Sequence, residues 1–228
     1  MSKPVYVNGS EIYTQYKARL LDYRVGPPTI SNSYMSRTTS VIPVKLKESI
    51  GTRSIELDLE FEGDDCHDSL LHISDMTALL LNENELKLPD GFEYFCILDK
   101  VSSPTLEGDT FYSVTFTLEG YRHGEMQTAE FTKSGSVFAL GNCKAPAIIT
   151  IENATGTVSV NDITVNNISS KVVIDGYKKT VMAVSGVTES NKFKDCVMTK
   201  FPSLNPGTNM ITISGTAKVT VAYTPIYL

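Results

Sequence analysis

The sequence predicts a mainly β protein of two units: an α+β front part with one helix, followed by an antiparallel β-sandwich. Three observations predict it. Within Ser54–Glu62 the apolar residues Ile55, Leu57, Leu59 and Phe61 alternate strictly with acids, the period of a strand buried on one face. After Asp64-Asp65 a single run carries apolar residues at helical spacing. From Ser134-Gly135-Ser136 onward that spacing disappears, and about seven short alternating runs follow, each bounded by Asn, Gly, Asp or Pro.

Taken in order, Thr29–Ser40 is polar and reads as a mobile loop or as the lead-in to a strand at Val41. Ser54–Glu62 supplies half of an antiparallel sheet. Asp64 or Asp65 caps the helix, and Asp68 sits in its first turn, where the dipole favours negative charge. Leu70, Ile73, Met76 or Thr77, and Leu80 form the apolar stripe, widened by Leu71 and Leu79, so the helix packs on a sheet; Pro89-Asp90-Gly91 lies beyond its end. Tyr94–Val101 and Phe111–Leu118 flank the turn-rich residues 102–109 and read as a long hairpin. The sandwich strands are expected at Ala147–Ile151, Thr157–Val160, Ile163–Val165, Lys171–Ile174, Val181–Val184, Met210–Ile213 and Ala217–Tyr223. The boundary is therefore expected near residues 133–140, giving domains 1–136 and 137–228.

The chain has 228 residues, 41% hydrophobic and 20% charged. At that size folding removes roughly 70–75% of the unfolded chain's surface, so stability requires no disulfide, metal or cofactor. Cys66, Cys96, Cys143 and Cys196 lie 30, 47 and 53 residues apart; they form no zinc or C-x-x-C pattern and read as reduced, buried thiols. Sequons at Asn8, Asn153 and Asn167 would matter only in a secretory protein. Without a spanning apolar run or a signal-peptide core, the expectation is a soluble chain made in the cytoplasm, with no membrane insertion. The net charge of −6 is uneven: residues 1–140 hold 12 Lys+Arg against 21 Asp+Glu, and residues 141–228 hold 8 against 5. An acidic front half argues against adhesion to nucleic acid.

Motifs for catalysis are absent. No phosphate-binding loop, dinucleotide fingerprint or G-x-S-x-G elbow occurs. His67 and His72 are five apart, off the i, i+4 spacing of a helical zinc pair. Asp64-Asp65-Cys66-His67-Asp68 fits helix capping better than metal ligation. Glu56, Asp58, Glu60 and Glu62 project from one strand face, where solvation explains them better than glycosidase chemistry. Tyr177, Tyr223 and Tyr227 are the tyrosines on which a sugar would have to stack, and they read more readily as core or rim residues. No catalytic, metal-binding or cofactor-binding residue is assigned.

Phe201-Pro202-Ser203-Leu204-Asn205-Pro206-Gly207-Thr208-Asn209-Met210-Ile211 makes a rigid turn between apolar anchors and feeds the chain into a strand. Its pattern, carried by Phe201, Pro202, Leu204, Pro206, Gly207 and Asn209, resembles the C-terminal domain of phage distal tail proteins. Gly141-Asn142, Ala145-Pro146 with Ile148, Val172-Val173-Ile174-Asp175-Gly176 and Val219-Thr220-Val221-Ala222-Tyr223 agree with it. The front half fits by order: a leading segment, a bent strand pair, a helix, then a hairpin.

The resemblance implies a tail-tube-like β-sandwich domain with one helix, closing as a homohexameric ring, with a galectin-like sandwich outside it. It further implies a structural hub at the virion tail tip that joins the tail tube protein to tail-tip, tail-associated and receptor-binding proteins. DNA would pass through without specific binding, and no enzyme activity is implied. The loops leave no room for an inserted carbohydrate-binding module, so the chain looks like the minimal form. Ring closure needs heterologous contacts, for which the strand carrying Ile55, Leu57, Leu59 and Phe61, or the hairpin Tyr94–Leu118, are the candidates. The alternatives are a carbohydrate-binding adhesin of the tail and a tail-tube subunit.

Overall fold

The computed structural model describes residues 4–35 and 44–228; the expected strand start at Val41 and the end of the polar stretch before it lie outside them. Two compact units result, one ending at Arg122 and the other running His123–Tyr227. The first contains β1 (Tyr6–Val7), β2 (Ser10–Glu11), α1 (Ile12–Tyr16), β3 (Ala18–Val25), β4 (Ile30–Met35), β5 (Val44–Ile50), β6 (Arg53–Phe61), α2 (Cys66–Leu80), β7 (Asn84–Lys87), β8 (Glu93–Val101), β9 (Thr105–Leu106) and β10, which begins at Tyr112. The main sheet runs β2-β1-β7-β8-β10-β6-β3, and β4 pairs with β5 alone as a separate ribbon.

The alternating strand is the centre of this unit. Ile55, Leu57, Leu59 and Phe61 are all 0% exposed and meet Val114, Phe116 and Leu118 of β10 across the sheet. Phe61 and Phe116 lie tilted with centroids 6.0 Å apart. A bulge in β3 between Leu20 and Asp22 resets its register, so that both Leu20 and Tyr23 pack on the core.

The expected helix is α2, capped by Asp65, whose carboxylate accepts from Asp68 N at 2.8 Å. Asp68 in turn accepts from Asp64 N at 3.1 Å, so this acidic cluster serves the backbone of the helix start. The buried stripe is Ser69, Ile73, Met76 and Leu80. Leu70 and Leu71, expected in the core, are exposed. At the first turn Ser69 takes the inward position instead, donating to Thr110 O at 2.5 Å, and Gly63 crosses so close that a Cβ there would sit 2.6 Å from the Ser69 hydroxyl.

The second unit comprises β11 (Gln127–Phe131), β12 (Gly135–Ala139), β13 (Ala145–Glu152), β14 (Gly156–Val160), β15 (Ile163–Ile168), β16 (Lys171–Asp175), β17 (Thr180–Ser185), β18 (Thr188–Asn191), a 3₁₀ turn (Phe193–Asp195), β19 (Cys196–Val197), β20 (Ser203–Leu204), β21 (Gly207–Ile211), β22 (Ile213–Ser214), β23 (Lys218–Tyr223) and β24 (Ile226–Tyr227). One sheet runs β11-β23-β13-β16-β17-β18; facing it are β19-β15-β14-β22 and the ribbon β12-β21. Ile149, Ile151, Val172, Ile174, Val219 and Val221 from the first meet Val158, Val160, Val165 and Ile211 from the second, the expected antiparallel sandwich.

All seven expected sandwich strands are present, with Met210–Ile213 divided between β21 and β22. The expected boundary at 136/137 falls inside this unit, because β11 pairs with β23 and β12 with β21. The sequon residues Asn8, Asn153 and Asn167 all hold positive φ, at 51°, 54° and 55°. Asn tolerates that conformation better than other side-chain-bearing residues, which explains it at these turns.

Leu57→Ala is expected to destabilise the first unit by about 2–5 kcal/mol, read from urea unfolding followed by circular dichroism. Burial pushes the Cys96 thiol up from 9.0 to about 12. The folded state therefore keeps a proton that the unfolded chain releases, and stability should fall as pH rises from about 9 to 12. Of the four cysteines expected to be buried only Cys96 is; Cys143 and Cys196 are half-buried, and Cys66, at the start of α2, is exposed. Iodoacetamide at pH 8 should label Cys66 in the native protein and reach Cys96 only after unfolding, a difference mass spectrometry reads directly.

Candidate assembly surfaces

The face of the main sheet turned away from the core is polar by the same alternation that buries the apolar residues. Cross-strand pairs on it are Arg19–Glu60, Asp22–Asp58 and Arg24–Glu56 between β3 and β6. Ser113, Thr115, Thr117 and Glu119 of β10 continue the rows beside them. Arg24 reaches Asp58 at 2.8 Å, Glu56 at 3.5 Å and Asp22 at 3.9 Å, and Arg19 reaches Glu60 at 3.4 Å. Thr115 donates to the second Asp58 oxygen at 2.7 Å. The Arg24 guanidinium is raised above its ordinary value, first by its hydrogen bond to Asp58 and then by the charges of Asp58 and Glu56. These groups are solvated, so they set the charge of the face more than its stability.

Ile55, Leu57, Leu59 and Phe61 cannot form a ring interface. Their side chains are sealed in the core, and β6 is hydrogen-bonded on both edges, to β10 and β3. The hairpin alternative is interior too, since β8 lies between β7 and β10, and β10 between β8 and β6. Among the described residues the sheet ends at β2 and β3. The ribbon β4–β5 exposes Ile30, Tyr34 and Leu46, each more than half accessible, and a two-stranded ribbon that leaves its apolar side chains in water is marginal by itself. No sequence signal marked these edges, because periodicity specifies the buried face and not which strand lies outermost.

In the second unit, the segments quoted for the resemblance converge. Ala145 pairs with Leu204 and Pro146 with Ser203. Ala147 N donates to Pro202 O at 3.0 Å, and Gly176 N donates to Ala147 O at 2.9 Å. Gly176 has no room for a side chain, since a Cβ would press on the Pro202 carbonyl oxygen and lie 2.5 Å from that of Ala147. Asp175 accepts from Tyr177 N at 2.7 Å and Lys178 N at 2.9 Å, folding the turn that follows.

Pro202 and Leu204 are buried, and Pro206-Gly207 forms an exposed turn with Gly207 at φ 91°. Asn209 closes that turn. Its Oδ1 accepts from Asn205 N at 2.9 Å, and its Nδ2 donates to Asn205 O at 2.7 Å and Gly207 O at 2.9 Å. Phe201 packs on the core and stacks on Phe193 with centroids 6.3 Å apart. Tyr177 and Tyr223 are structural: the first accepts from Thr224 N and the second from Leu140 N, both at 2.9 Å. His67 is exposed, and His72 approaches Asp68 one helical turn earlier at 3.5 Å.

This architecture belongs to the class of folds found in the hub and baseplate proteins of phage tails. The particular likeness is to the Dit protein (gp 19.1) of SPP1, described as a paradigm of the hub adsorption apparatus in phages infecting Gram-positive bacteria, over 99% of both chains at a TM-score of 0.68 and 15% identity. Chains of the phage p2 baseplate in its activated conformation are also similar. With Sr the likeness has a TM-score of 0.55 and 14% identity over 93% of this chain and 92% of that one. With Ca it has a TM-score of 0.52 and 13% identity over 89% and 90%. At such identity the fold is what is shared, and it is the one the resemblance led us to expect. No protein-family model and no curated protein matches the chain.

Asn209→Ala removes three hydrogen bonds and should destabilise the second unit by about 1–3 kcal/mol. Asn209→Asp should be worse at neutral pH, because it sets a carboxylate against two carbonyl oxygens; thermal melts of both variants check the order.

Proposed function

We propose that the chain is the structural hub of a phage tail tip, six copies closing into a ring that connects the tail tube to tail-associated and receptor-binding proteins. The observation that carries this reading is the likeness to SPP1 Dit over the full length of both chains, which embraces both units and leaves no segment over for an inserted module. The work is architectural: the described surfaces offer edges, an apolar ribbon and a charged sheet face. Ring closure falls to surfaces left open by the fold, the outer edge of β3 and the ribbon β4–β5, since the strands that sequence favoured are interior.

The acidic sheet face is the surface we assign to the channel. Asp22, Glu56, Asp58, Glu60 and Glu119 outnumber Arg19 and Arg24 there, so DNA passing six such faces meets like charge and does not adhere. The class of neighbour is then another tail protein on each side of the ring, and the protein resides in the virion tail tip.

Negative-stain microscopy and light scattering of the purified protein should show closed six-fold rings at raised concentration. Long tubes would favour the tail-tube reading, and monomer at every concentration would overturn the ring. The oligomer should not retain duplex DNA at 150 mM salt, a condition near physiological ionic strength. Glu56→Lys combined with Glu60→Lys should introduce binding that weakens steeply as salt is raised, measured by fluorescence anisotropy.

A further inference from the structure

We propose that Lys192 and Asn167 form an intramolecular isopeptide bond, with the Asp195 carboxylate carrying the protons, so that an amide ties the two sheets of the sandwich together. Three side chains from separate elements converge here. Asn167 lies near the end of β15 with φ 55°, Lys192 directly follows β18, and Asp195 ends the 3₁₀ turn. Lys192 Nζ reaches Asp195 Oδ2 at 2.7 Å, and Asn167 Nδ2 donates to Asp195 Oδ1 at 3.2 Å. One carboxylate therefore holds the amine on one oxygen and the amide nitrogen on the other. Lys192 Nζ also donates to the main-chain carbonyl of Asn167 at 3.0 Å. The amine thus already touches the residue whose side chain it attacks, and the flexible lysine stem lets it turn to Cγ.

The backbone around the cluster is fixed, which is what makes proximity count. Lys192 N donates to Val181 O at 2.9 Å, and Asp195 N donates to Lys192 O at 3.1 Å. Asn191 Oδ1 accepts from Phe193 N at 2.9 Å. β15 is paired to β19 through Thr164–Val197 and Val165–Cys196, next to Asn167 and Asp195. The Lys192 side chain is 16% exposed, against 35% to 76% for Lys87, Lys100, Lys171 and Lys218 in their ion pairs. That shelter limits competition from water as the nucleophile.

The reaction balances without an oxidant or cofactor. Asp195 takes a proton from the Lys192 ammonium, and the freed lone pair forms the Nζ–Cγ bond while the carbonyl π pair moves onto oxygen. Asp195 passes its proton to Nδ2, the carbonyl re-forms, and the Cγ–Nδ2 bond breaks to release ammonia. The surplus proton on the new amide nitrogen leaves through Asp195 to that ammonia. One amide is made, one is broken, and ammonium carries away the lysine's charge. Hydrogen bonds from Lys192 and Asn167 hold the Asp195 carboxyl below the usual carboxylate range, so the first proton transfer is uphill. The bond accumulates slowly after folding, and faster at pH 9 than at pH 6. It joins the sheet containing β15 to the one edged by β18, which β17 alone otherwise holds.

The full chain is incubated at pH 9 and weighed by intact-mass spectrometry, then digested with trypsin. The mass should fall by one ammonia, and a branched peptide should join residues 145–171 to residues 180–194, with cleavage after Lys192 lost. The linked form should run faster on a denaturing gel and melt at a higher temperature, because a cross-link restricts the unfolded chain. Lys192→Arg keeps the charge but offers no nucleophilic amine, and it should retain the full mass. Asp195→Asn should slow the loss at least tenfold. An unchanged mass in the native sequence overturns the proposal. So does an ammonia loss that persists in Lys192→Arg, or one that maps to Asn8-Gly9 or any other asparagine. Ring formation is measured separately, so failure here leaves the hub reading standing.

Discussion

The strand Arg53–Phe61 sets the terms for the first unit. Its two-residue period seals Ile55, Leu57, Leu59 and Phe61 in the core and turns Glu56, Asp58 and Glu60 outward. A register slip of one residue would exchange the two sets, burying carboxylates and exposing leucines, so the pairings with β10 and β3 are fixed by a large energetic contrast. The bulge at Leu21 follows from that constraint: it absorbs one residue so that both ends of β3 keep their apolar side chains inward. The charged face thus exists because the core does, and an assembly role can draw on it without any dedicated machinery.

The second unit depends on a close approach of backbones. Gly176, Ala147 and Pro202 meet by hydrogen bonds at a point where no side chain fits. The Pro-Gly turn beyond them is tied off by one amide side chain, Asn209. This gives the resemblance motif a physical meaning. Its residues are spaced to bury Pro202 and Leu204, reverse the chain at Gly207 and lock the reversal. A motif of this kind stabilises architecture: it fixes where the chain reverses and which side chains are buried.

Much of this was legible in the sequence. The acid-apolar alternation located β6, the Asp-capped run located α2, and short runs punctuated by turn residues located the seven sandwich strands. The helix stripe was misread at its first turn, where Leu70 and Leu71 are exposed. Composition favours leucine for a core position, but Gly63 and the Thr110 carbonyl leave space only for Ser69. The domain boundary was displaced for a similar reason. β11 and β12 are assigned to the sandwich by hydrogen bonds to β23 and β21, 68 to 96 residues later, and no local pattern records such pairing.

The strand order of the main sheet shows the division most clearly. By itself the sequence determined which side chains are buried, since hydrophobic period and turn chemistry are local properties of the chain. Only tertiary structure decided which strands are interior and which are edges, because strand order is set by long-range pairing. That order takes Ile55, Leu57, Leu59 and Phe61 into the interior and leaves β2 and β3 as the edges of the main sheet, with the β4–β5 ribbon apart. It likewise brought Phe193 against Phe201, two phenylalanines whose positions in the chain gave no sign that they would stack.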